Sequence, residues 1–178
     1  MRVLTSQTQM SLWHDLVKYA EAECDITLKH ELEAYLVTLL MRYTNRPELV
    51  KRVMAMVFMQ AMQYSAPRRQ GLLQMVGDEC LLFAGLFPHL AEKRHVKIAY
   101  YVTLGRTAYC NISIKTNDLY ASLARHFVSL MDVLQAINQD SHLLPLEAYE
   151  QWQELGSWRA YRILEEYTQG LPFKLNKR

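Results

Sequence analysis

Apolar residues recur at intervals of three and four along most of this chain, the spacing that gathers side chains on one stripe of an α-helix. Between Gln9 and Cys24 the stripe is Leu12, Leu16, Tyr19 and Ala20, and Asp25 is expected to end the helix. Thr27 can cap a second helix bearing Leu28, Leu32, Tyr35, Leu36, Leu39 and Tyr43, with Lys29, Glu31 and Glu33 off the stripe. Asn45 and Glu48 form a capping-box pair around Pro47 and open a third helix, Pro47 to Tyr64, which a short connection should pack antiparallel to the second. That helix is apolar over too wide an arc for one face, so it is either central or covers a second surface such as a subunit interface. Its methionines, Met54, Met56, Met59 and Met62, are assigned to the core in preference to a contact surface.

The later elements follow from breaks and caps. Pro67 starts a fourth helix that Pro88 closes, a polar corner follows, and a fifth helix runs from about His95 to Asn111. Thr116, Asn117 and Asp118 cap a sixth, with Leu119, Leu123, Phe127, Leu130, Leu134 and Ile137 at helical spacing. A seventh begins near Leu146 and is interrupted at Gly156 and Ser157, by a kink or a division in two. Strand-like alternation never persists beyond a few residues. The expected architecture is all-α, a single-domain bundle of about seven helices over residues 1–168, followed by a basic tail at 169–178.

Composition narrows the partners. With 51% apolar and 21% charged residues the chain is of globular type, and 20 basic against 18 acidic residues leave a net charge of +2. That is no field for a phosphate backbone, so no nucleic acid is expected. No apolar run reaches membrane-spanning length, and the first residues lack a signal-peptide core; no membrane partner and a cytoplasmic location are therefore expected. Cys24, Cys80 and Cys110 form no Cys-x-x-Cys pair and are read as free, buried thiols.

The polar anomaly is the stretch Leu72–Cys110, where Asp78 and Glu79 stand side by side in an apolar helix and Arg106 lies among Tyr100, Tyr101 and Tyr109. A buried carboxylate needs a cation or a raised pKa, and Arg106, Arg125 and Arg42 are candidate partners. A register-fixing ion pair or a narrow exposed strip is preferred here to a proton-transfer group. Gly77, Gly85 and Gly105 lie inside helical patterns, where each costs about 1 kcal/mol against alanine; close helix approach is the preferred reason, room for a ligand the other. Glu92 and His95 have a Glu-x-x-His spacing, but without the second copy that a di-iron bundle needs, so no metal and no cofactor are expected. Arg68 and Arg69 are read as solvated surface, or as the answer to an acidic partner.

These observations favour a non-enzymatic helical binding or regulatory protein that works through protein–protein contacts as a homodimer. The alternative is a small-molecule binder or enzyme with a pocket between the fourth and fifth helices, lined by Asp78, Glu79, Tyr101, Arg106 and Tyr109.

Overall fold

The computed structural model describes residues 6–44, 53–93, 95–112, 118–138 and 142–169, and among them every regular element is an α-helix. The helices are α1 (Ser6–Cys24), α2 (His30–Thr44), α3 (Met54–Ala61), α4 (Ala66–Leu86), α5 (Pro88–Lys93), α6 (Ile98–Ile112), α7 (Leu119–Arg125), α8 (Phe127–Ile137), α9 (Pro145–Leu155) and α10 (Trp158–Thr168). More segments stand here than the seven expected because two long patterns are divided and the corner after the fourth helix is itself helical. Pro88 sets α5 apart from α4. His126, at φ −99° and ψ 17°, offsets α8 from α7 while its N–H still donates to the Ser122 carbonyl. Gly156 takes the left-handed conformation, φ 72°, that closes α9, and Ser157 opens α10 by accepting the Ala160 N–H at 3.0 Å. None of the helices among the described residues is long and apolar enough to cross a membrane.

The molecule is arranged around α4. From Val76 to Leu86 every residue is buried, and a helix enclosed on all sides must be apolar on all sides. It packs against α3, α6 and α8. Gly77 lies against the Tyr109 ring, Cys80 against Gly105, and Phe83 stacks on Tyr101, so α6 runs antiparallel to α4. A methyl group at Gly77 would overlap Tyr109, and one at Gly105 would strike Phe127 and Cys80. Close helix approach therefore accounts for both glycines.

The rotation of α1 departs from the sequence pattern. Trp13, Val17, Ala20 and Cys24 face inward, whereas Leu12, Leu16 and Tyr19 are 49%, 42% and 59% exposed. A polar clasp explains the rotation: Glu33 of α2 accepts from His14 Nε2 at 2.7 Å and pairs with Lys18 Nζ at 2.5 Å. Lys18 also pairs with Glu21, which accepts the Leu28 N–H at 2.6 Å. These groups lie beside the inward stripe of α1 and hold it toward α2.

Three more expectations are corrected. Among the described residues α2 packs on α1 and α7, and α3 on α4, so no antiparallel pairing of α2 with α3 is found there; residues 47–52 of the expected third helix lie outside them. Met54, Val57, Phe58 and Ala61 turn inward, but Met56 and Met59 are 69% and 66% exposed and Met62 is exposed as well, so three of the four methionines lie outside the core. Cys110 is exposed, because α6 turns it away from the buried face that holds Tyr109. Asp118 caps α7 as expected, accepting the Ala121 N–H at 2.8 Å. The Asn45–Glu48 capping box, Thr116, Asn117 and residues 170–178 of the tail lie outside the described residues.

Helices α9 and α10 form a hairpin with its own small core of Leu143, Ala148, Ala160 and Leu164, separate from the main cluster. Polar groups join the two. Gln135 Nε2 of α8 donates to the Ala84 carbonyl of α4 at 3.0 Å and to Gln151 Oε1 of α9 at 3.3 Å, and the Ser157 hydroxyl at the start of α10 donates to Asp132 of α8 at 2.6 Å.

Candidate functional site

Asp78 is 5% exposed and both carboxylate oxygens are engaged by other helices. Oδ1 accepts from Tyr35 of α2 at 2.6 Å and from Tyr109 of α6 at 2.7 Å, and Oδ2 accepts from Arg42 of α2 at 3.0 Å. Gln74, one turn earlier on α4, donates to the Tyr35 hydroxyl at 3.3 Å. Because Gly77 carries no side chain, the Tyr109 ring can cross α4 and bring its hydroxyl to the neighbouring residue.

Burial dominates the electrostatics. It pushes the Asp78 carboxyl above its ordinary range, while the two phenols and Arg42 pull it back. It also pushes Tyr35 and Tyr109 upward, and the carboxylate beside them adds to the shift, so both phenols stay protonated as donors. The guanidinium that serves this site is half in solvent, with the Arg42 side chain 45% exposed.

The other candidate residues are distributed differently. Tyr109 shares the Asp78 cluster. Glu79 is 2% exposed on the next position of α4, and its charge adds to the effect of burial in raising the Cys80 thiol. Tyr101 is buried against Phe83, with ring centroids 5.0 Å apart, two helical turns from Tyr109 and hence about 12 Å along α6. Arg106 lies on the exposed face of α6 and does not pair with Asp78; the cation that reaches Asp78 is Arg42. A carboxylate filled by two phenols and a guanidinium acts as a clamp for α2, α4 and α6.

A second buried carboxylate is Asp132, in the apolar run Leu130-Met131-Asp132-Val133-Leu134 of α8. The signal is of the same kind as at Asp78 and Glu79, a carboxylate in an apolar helix, yet a reading by stripe passes over it. Asp132 Oδ1 accepts from the Ser157 hydroxyl at 2.6 Å and Oδ2 from the Arg159 N–H at 3.2 Å. It thus sits at the N-terminus of α10, where unsatisfied N–H groups favour negative charge. Burial nonetheless pushes its pKa up to about 6. Cys24 donates its thiol to the Asp132 carbonyl at 3.5 Å, and burial drives that thiol up to about 12.

Hollows large enough for a small molecule lie away from Asp78. One of about 260 Å³ separates the start of α6 from α9 at Val96, Ile98 and Gln151, and another of about 410 Å³ lies between α1, α8 and α10. Among the described residues no group of three His, Cys, Asp or Glu side chains is placed to hold a metal ion. No family model matches this chain, and no curated protein or solved structure was found to match it.

Proposed function

We propose that this is a non-enzymatic helical binding protein that works through protein–protein contacts as a homodimer, with the outer face of α3 as the contact surface. The observation that carries this reading is the exposure of Val53, Met56, Met59 and Met62 on and beside a helix whose inner face is already packed on α4. Large apolar side chains exposed together are characteristic of contact surfaces, and unbranched methionines adapt to a partner without a fixed shape. The uncovered stripe of Leu12, Leu16 and Tyr19 on α1 supports the same reading. Asp78 is engaged by protein on both oxygens, which favours a clamp over a reaction centre.

Sedimentation velocity on the full chain at micromolar concentration tests the proposal. The expected species is a dimer of the 20.9 kDa chain, and the double variant M56K/M59K should sediment as a monomer that keeps the helical circular-dichroism spectrum of the parent, with a lower melting temperature because the stabilisation from association is gone. A monomeric parent protein, or a dimer indifferent to both substitutions, overturns it.

A further inference from the structure

The groove between α1, α8 and α10 has a volume of about 410 Å³, within the usual range for small-molecule sites. Its α10 wall carries Arg159 and Arg162, which a three-residue spacing brings to one side of the helix. Arg159 is positioned rather than trailing: its Nη1 donates to Gln135 Oε1 at 3.2 Å, and the Gln135 amide is itself held by Ala84 and Gln151. Burial lowers the pKa of Arg159, the mark of a cation that has given up part of its hydration. Among the described residues Arg162 forms no ion pair within 4.0 Å.

Three further features narrow the ligand. Tyr19, Ala136 and Ile163 line the same groove and supply its apolar surface. Glu23 and Glu166 are exposed and also line the groove, so they weaken its hold on any anion and oppose a dianion more than a monoanion. Cys24 lies at the floor with its thiol held protonated, so the site offers no nucleophile and retains its ligand without a covalent bond.

We propose that this groove binds a small monocarboxylate with an apolar or aromatic body, its carboxylate on Arg159 and Arg162 and its body against Tyr19, Ala136 and Ile163. A planar guanidinium matches a carboxylate in geometry as well as charge, and partial burial strengthens each bond.

Isothermal titration of the full chain with benzoate tests this, with inorganic phosphate as the comparison anion. Benzoate should saturate at one site per chain and phosphate should bind more weakly. Arg162→Gln should weaken benzoate about tenfold, the loss of one charge-assisted contact. Glu166→Gln, an exposed substitution with little effect on folding, should tighten it by about threefold through loss of repulsion. Absence of saturable benzoate binding, or affinities unmoved by both substitutions, overturns the proposal; so does phosphate binding tighter than benzoate, which contradicts a site shaped for one charge and an apolar body.

Discussion

Tyr109 of α6 donates its phenolic hydrogen to Asp78 of α4 at 2.7 Å, across the one point where Gly77 lets the tyrosine ring lie on the α4 backbone. The bond and the glycine depend on each other. Any side chain at 77 would lift the ring away, and without Tyr109 the buried carboxylate would lose one of its three donors.

Asp78→Asn should be much milder than Asp78→Ala. The amide oxygen keeps an acceptor for Tyr35 and Tyr109, and Arg42, already half in solvent, can turn outward. Alanine leaves the buried Tyr109 hydroxyl and the part-buried Tyr35 hydroxyl without their acceptor and should cost about 3 kcal/mol, with the asparagine variant about 2 kcal/mol better. Urea unfolding midpoints at neutral pH measure the difference.

Two glycines of the same helix should respond in opposite directions. Gly77→Ala drives a methyl into the Tyr109 ring and should destabilise by about 1–3 kcal/mol, even after the gain in helix propensity. Gly71→Ala meets open space and should stabilise by about 0.5–1 kcal/mol. Thermal melts of the two variants beside the parent make the comparison; a stabilising Gly77→Ala would refute the close contact.

Asp132 should make stability fall as pH rises. Its folded-state pKa stands at about 6 against an ordinary 3.8, so between those values the folded chain holds a proton that the unfolded chain has released. The carboxyl contribution is therefore greatest below pH 3.8 and is lost as pH rises through 6, a change of about 3 kcal/mol for roughly two pH units. Asp132→Asn has no such titration. The stability difference between parent and variant, measured by urea unfolding from pH 4 to pH 7, should shift by most of that amount in favour of the variant.

Thiol reactivity should separate the cysteines. Cys110 is exposed, whereas Cys24 and Cys80 are buried with thiols raised by burial. A disulfide-exchange reagent should therefore modify one thiol per native chain quickly and the other two only on unfolding. Rapid reaction at all three would contradict the packing around α4 and α8.

The sequence by itself determined the all-α class, most helix positions and the polar anomaly at Asp78, because spacing, caps and breakers act within a few residues of one another. Asp25, Asp118, Pro67 and Gly156 could be read in this way. The glycines at 77 and 105 announced a close approach but not the rings that make it. Tertiary structure alone decided which cation meets Asp78: Arg42 arrives on α2, while Arg106, in the helix packed beside Asp78, turns to solvent. It also decided which face of α1 turns inward, since periodicity favoured Leu12, Leu16 and Tyr19 but the clasp of His14 and Lys18 on Glu33 rotates them outward. Asp132 and the exposed methionines of α3 belong to the same class. Each depends on contacts between residues distant along the chain, and local pattern carries no record of which distant surface will be present to receive a side chain.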